Sequence, residues 1–179
     1  GKKVLVQGIG HVGEVLVEYL AKEGAEIFIS DINKDRLQEV SKRYNAVVFE
    51  KADVYSADVD IYAPCALGAT VNDDTIDRLK ATIIAGAANN QLADDRKHGL
   101  ILRERGIVYA PDFLINAGGI INVYAELEGY GKKEIREKTE NIYNTTLEIL
   151  NKADLSGIST HEAALQVAQQ RIADRKNQR

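Results

Sequence analysis

Apolar positions along the chain fall into short β-branched runs that alternate with stretches of helical period. Residues 3–7, "KVLVQ", read as a buried strand. Between His11 and Lys22, the residues Val12, Val15, Leu16, Tyr19 and Leu20 recur at helical spacing, and Gly24 ends that helix. "AEIFIS" (25–30) predicts a second strand closed by Asp31, "KDRLQEVSKRY" (34–44) an amphipathic helix, and "AVVF" (46–49) a third strand. Beyond an acidic stretch, "VDIYAP" (59–64) predicts a fourth strand. "NDDTIDRLK" (72–80) predicts a short helix capped by Asn72, and "TIIAGAANN" (82–90) a strand running into a loop. "GLILRERG" (99–106) predicts a helix and "IVYAP" (107–111) a last strand. The remainder reads as three helices, 116–128, 132–153 and 159–175, with a polar tail, "RIADRKNQR", expected to fray.

Strands that alternate with helices imply an α/β chain with a doubly wound parallel sheet covered on both faces. The helices from residue 116 onward are an addition to that sheet. No tandem repeat or low-complexity linker divides the chain, so residues 1–179 are expected to form a single domain.

The first strand ends in Gly8-Ile9-Gly10-His11-Val12-Gly13, a G-x-G-x-x-G pattern that opens a helix. Each glycine has a mechanical task. Gly8 permits the tight turn, Gly10 lets a pyrophosphate approach the backbone, and Gly13 lets the helix pack on the strand. The phosphates would meet free N–H groups at the positive end of the helix dipole. Asp31, at the end of the second strand, can accept hydrogen bonds from a ribose diol and would repel a 2′-phosphate. The pattern therefore points to a Rossmann-type domain and to NAD rather than NADP. The alternative is a glycine turn without a ligand, with Asp31 as a strand-end cap. Lys34, in a first helical turn, reads as solvated rather than as a 2′-phosphate ligand.

Ligands of open parallel sheets lie outside the carboxyl ends of the strands. Three loops there are rich in small and amide residues: "APCALGAT" (63–70), "AGAANNQL" (85–92) and "APDFLINAGGIIN" (110–122). Asn90, deep in a strand-end loop, reads as a ligand contact. Asn116 is balanced between helix capping and ligand contact. Cys65 reads as a small buried hydrophobe rather than a nucleophile. Ile120 and Val123 share a helix face, and their spacing alone favours core.

Charge and composition narrow the partners. The chain is 45% apolar and 28% charged with a net charge of −4, so nucleic-acid binding by phosphate neutralisation is not expected. His11, His98 and His161 are too scattered to suggest a metal site. One cysteine cannot form an internal disulfide, no apolar run approaches membrane-spanning length, and no signal peptide precedes the first strand. These features read as cytoplasmic. The chain lacks methionine altogether, which fits a domain cut from a longer protein.

The blocks "VQGIGHVGEVL", "SDIN", "DIYAPCALG", "IIAGAANNQL", "GIVYAPDFLINAGGIINV" and "ELEGY" resemble, in order, the NAD-binding domain of amino-acid dehydrogenases of the Glu/Leu/Phe/Val group. The resemblance is nearest to the leucine and phenylalanine branches and runs from Lys2 to about residue 172. The blocks containing "APCALG" and "APDFLINAGGIINV" are far more specific than the glycine turn. It implies reversible oxidative deamination of an apolar L-amino acid to a 2-oxo acid and ammonia, with hydride passing to NAD. It assigns Gly8, Gly10, His11, Val12 and Gly13 to the pyrophosphate turn, Asp31 to the adenosine ribose, and Cys65 and Ala66 to the dinucleotide. It sets Asn90 near nicotinamide and substrate, and turns Ile120 and Val123 into contacts of the substrate's side chain. His11 stands where Asn is usual, and Gly13 where Ala is common. In the family a separate N-terminal domain supplies the catalytic lysines and most of the substrate site, and the parent is a homo-oligomer. That domain is absent here, and Lys80, Lys97, Lys132, Lys133 and Lys138 all read as solvated. The rival reading is a stand-alone, non-catalytic NAD-binding module; a different dehydrogenase class on the same fold is a third.

Overall fold

The structure is a computed structural model that describes residues 1–50 and 53–177. Six parallel strands form one sheet: β1 (Lys3–Gln7), β2 (Glu26–Ser30), β3 (Val47–Val48), β4 (Ile61–Pro64), β5 (Ile83–Ile84) and β6 (Val108–Tyr109), in the order β3-β2-β1-β4-β5-β6. This is the doubly wound order, and it reverses between β1 and β4, where the ligand crevice of such sheets opens. Val4 pairs with Ile27 of β2 and with Ile61 of β4.

Alternation along β1 divides the core. Val4 and Val6 face α1 (His11–Lys22) and α2 (Lys34–Tyr44), meeting Val17, Ile27, Ile29, Leu37 and Val40. Leu5 faces the other layer, with Tyr62, Ile84 and Tyr109, and with Leu102 of α3 (Asp95–Glu104). Each fully buried side chain of this kind contributes about 1.5–3 kcal/mol, so the sheet positions the crevice on two tightly packed layers. Beyond β6 come α4 (Asp112–Ile115), α5 (Gly118–Glu128), α6 (Lys132–Glu140), α7 (Ile142–Ser156) and α8 (Thr160–Asn177). α7 and α8 pack through Ile149, Ala153, Ala163, Ala164 and Val167.

Several predicted elements differ from the observed ones. Residues 72–80 are not an α-helix. Asn72 Oδ1 accepts the N–H of Asp74 at 2.9 Å and Thr75 Oγ1 donates to the Thr70 carbonyl at 2.7 Å, so side chains divert the backbone into turns and a short 3₁₀ segment, Ile76–Arg78. α3 starts four residues earlier than predicted, because Asp94 caps it by accepting the N–H groups of Arg96 and Lys97 at 3.0 and 2.8 Å. Those donors, Lys97 foremost, hold the Asp94 carboxyl below the usual carboxylate range. The predicted helix over 132–153 is two helices that meet at Asn141. The last helix continues into the polar tail as far as Asn177; positions 178 and 179 lie outside the described residues. Among the described residues, no helix is long and apolar enough to cross a membrane.

Candidate functional site

The Gly8–Gly13 turn lies at the carboxyl end of β1, in the crevice. Gly8 adopts φ +93°, and a Cβ there would sit 2.5 Å from the Ala66 Cβ and 2.8 Å from its nitrogen. Only glycine fits that conformation and that contact with the β4 loop. A Cβ on Gly13 would lie 2.0 Å from the Gly8 carbonyl oxygen, so α1 sits closer to the turn than a side chain allows. Gly10 is exposed, and a Cβ there would meet nothing within 4 Å. No side chain caps α1; its first bond runs from Glu14 N to Gly10 O, which leaves the earlier N–H groups directed beyond the helix end. His11 and Val12, both exposed, stand at that end.

Asp31 does more than the sequence suggested. Its Oδ2 accepts the Ile9 N–H at 2.8 Å and its Oδ1 accepts the Asn33 N–H at 2.9 Å. The carboxylate thus braces the turn, and each oxygen keeps a lone pair for a further donor. On one side of Asp31 a cleft of about 640 Å³ runs past Gly8, Gly10, Cys65, Ala66 and Thr70. On the other a groove of similar volume is bounded by Lys34, Gln38 and Phe49.

The three amide-rich loops are tied to one another. Ala69 N donates to the Asn90 carbonyl at 2.6 Å, and Asn116 Nδ2 donates to Asn89 Oδ1 at 2.5 Å. Asn90 itself is exposed with φ +52°, its side chain free to face solvent at the strand ends. Asn116 neither caps a helix start nor stands alone: it follows α4 and holds the 85–92 loop. Below them two residues that sequence reasoning passed over fix the arrangement. Gln91 is fully buried, and its amide donates to the Gly86 and Ala88 carbonyls at 2.6 and 2.9 Å. Buried Asp112 accepts the Gln91 N–H at 2.9 Å and the Phe113 N–H at 2.7 Å. Gln7, also unremarked, accepts a hydrogen bond from the buried Tyr62 hydroxyl at the cleft floor. Gln7 and Asp112 meet Tyr62 and Gln91 from distant segments, and the Gln91 amide folds back on its own loop, so spacing marks none of them.

Cys65 lies part-buried against the β1–α1 layer, where desolvation pushes its thiol up. It accepts the Ala87 N–H at 3.5 Å and behaves as a packing residue. Ile120 and Val123 are not core, as their spacing suggested: they are 71% and 58% exposed, and α5 buries only Ala125. The helix had the right period but no second layer to cover that face. His98 braces α3, its Nδ1 accepting the Asp94 N–H at 3.0 Å, and His161 stands edge-on to Phe113. Among the described residues no group of three His, Cys, Asp or Glu gathers for a metal.

Residues 28–179 match a family model described as Glutamate/Leucine/Phenylalanine/Valine dehydrogenase. The chain belongs to this family. It is 49% identical over 179 residues to a leucine dehydrogenase of Bacillus cereus, a match that covers all of this chain and 49% of the relative. A phenylalanine dehydrogenase of Bacillus thermotolerans is 45% identical over 175 residues, covering 95% of this chain and 46% of the relative. Among solved structures, L-tryptophan dehydrogenase from Nostoc punctiforme superposes with a TM-score of 0.94 at 45% identity, over 97% of this chain and 53% of that one. The chain therefore spans about half the length of the curated relatives it matches. The Rossmann-type sheet read from the sequence is the fold of this family.

Proposed function

We propose that this chain is the NAD-binding half of an amino-acid dehydrogenase, one that reversibly deaminates an apolar L-amino acid of the leucine, valine or isoleucine type to a 2-oxo acid and ammonia. The observation that carries the reading is the uncapped, open turn at Gly10 beside Asp31, at the point where the strand order reverses. NAD, when bound, accepts the hydride. The chain's own residues bind and orient it. The N–H groups at the start of α1 receive the pyrophosphate, Asp31 the adenosine ribose, and Cys65 and Ala66 flank the dinucleotide. Asn90 lies toward nicotinamide and substrate, while Ile120 and Val123 offer an apolar surface to the substrate's side chain. The 2-oxo acid and amino acid are small-molecule partners, and the parent assembles as a homo-oligomer.

The reaction needs a base to take a proton from the substrate ammonium, and a lysine with a depressed pKa in a closed cleft suits that task. Among the described residues no lysine is buried in a closed cleft. Lys80 is exposed, Lys97 pairs with Asp73 at 2.6 Å, and Lys138 lies 5.0 Å over the Tyr130 ring. The purified chain is expected to bind NADH in a calorimetric titration yet show no sustained NADH production from leucine, valine or phenylalanine at alkaline pH. Turnover would place the base among these lysines, with Lys80 and Lys97 the first to replace.

NADH should bind more tightly than NADPH, because Asp31 repels a 2′-phosphate. Asp31→Ser is expected to narrow that gap. It should also weaken NADH itself, since the same carboxylate braces the Ile9 N–H. Equal affinities for the two nucleotides in the unsubstituted chain would remove Asp31 from the ribose.

A further inference from the structure

The Gly8–Gly13 turn is held from a second side by a residue of α2. Arg36 Nε donates to the Ile9 carbonyl at 2.5 Å, and its Nη2 donates to Glu14 Oε2 at 2.6 Å. Glu14 belongs to the first turn of α1, immediately past the glycines, and its other oxygen takes Arg43. Asp31 meanwhile accepts the Ile9 N–H. Both polar groups of Ile9 are thus clamped, and its side chain is fully buried. One guanidinium spans the entry to the turn and the exit from it.

We propose that Arg36 is a positioning residue for dinucleotide binding, holding the turn in the shape that receives a pyrophosphate. The proposal rests on the assignment of NAD to this cleft. A loop of small residues loses conformational freedom when a ligand orders it. A loop already held by charged hydrogen bonds has less to lose and binds more tightly. Arg36 acts through the turn, its Nε and one Nη being spent on protein atoms. A planar fork is needed because the two acceptors lie on different segments; an ammonium can reach one of them at a time.

The test compares the unsubstituted chain with Arg36→Met and Arg36→Lys. Methionine keeps the apolar stem, and Glu14 keeps Arg43, so no carboxylate is stranded. NADH is titrated by calorimetry, and amide hydrogen exchange is followed over residues 6–14 without ligand. Arg36→Met should weaken NADH about tenfold at unchanged stoichiometry, the scale of one lost charged hydrogen bond. It should also speed exchange in the turn, with Arg36→Lys intermediate in both. A smaller binding-competent fraction with an unchanged Kd would mean that Arg36 merely stabilises the fold, and overturns the proposal. So does an unchanged Kd in Arg36→Met while the unsubstituted chain binds. If the unsubstituted chain does not bind NADH, the assignment of the cleft falls and takes this proposal with it.

Discussion

Gly10→Val is expected to abolish NADH binding while leaving the fold standing. Gly10 has φ −61° and ψ −163°, a conformation open to any residue, and its missing Cβ faces empty space. Nothing in the protein needs a glycine there. The stability cost should stay near 1 kcal/mol, the scale of a poorer residue at a helix N-cap. A branched side chain would nevertheless stand in front of the uncapped N–H groups of α1, where the phosphates must come within hydrogen-bond distance. Affinity should fall by at least about 100-fold, which one lost close approach with its charged hydrogen bonds accounts for. Circular dichroism melting and a calorimetric titration of the same preparation check both halves. Retained NADH affinity would move the nucleotide away from this turn.

Gly8→Val should behave differently, losing stability and binding together. The backbone there is at φ +93°, where a β-branched residue is strained. The new side chain would collide with Ala66, whose nitrogen and Cβ both lie inside 3 Å of the Cβ position. Strain and overpacking each cost about 1–3 kcal/mol, so a loss of about 3 kcal/mol is expected. In a chain of this size that lowers the melting temperature by roughly 6–12 °C. The contact being broken joins β1 to the loop after β4, so the cleft opens along its floor and NADH affinity is lost with it. A Gly8→Val chain that melts like the parent would show that this turn is not packed as described.

The difference between these two glycines was only half legible in the sequence. The motif assigned the three glycines their tasks, but the neighbour that makes Gly8 irreplaceable, Ala66, stands on another strand's loop. The strands themselves were readable because β-branched runs such as "KVLVQ" and "EIFIS" carry their own period. Failures came where side chains compete with the backbone, as with Asn72 and Thr75, or where a cap overrides composition, as Asp94 does for α3. The interruption at Asn141 falls among residues that are all compatible with helix, so period alone runs through it. At the site, Asp31 was singled out for a ligand, yet it also serves the turn through Ile9. Arg36 and Asp112 went unread for one shared reason: each holds a backbone group, of Ile9 and of Gln91, that only tertiary folding brings near. Gln91 turns back on Gly86 and Ala88 of its own loop, a bend that its spacing does not mark. α5 taught the reverse lesson, since a periodic apolar face predicts burial only when something lies across it.

The placement of β1 in the middle of the sheet has a consequence for synthesis. Val4 meets Ile27 on one side and Ile61 on the other, so the first strand of this sheet to be made acquires its second neighbour long after its first. At about 5–20 residues per second, the β4-facing edge of β1 waits for seconds with its peptide groups unpaired. During that interval the nascent β1–α1–β2 unit presents an apolar open edge, the kind that recruits strands from other chains. The longer loop adds little entropy cost, about 0.6 kcal/mol per doubling, so the delay is one of arrival rather than of affinity. The seam that becomes the floor of the cleft is thus the place where a growing chain most needs protection from its neighbours on the polysome.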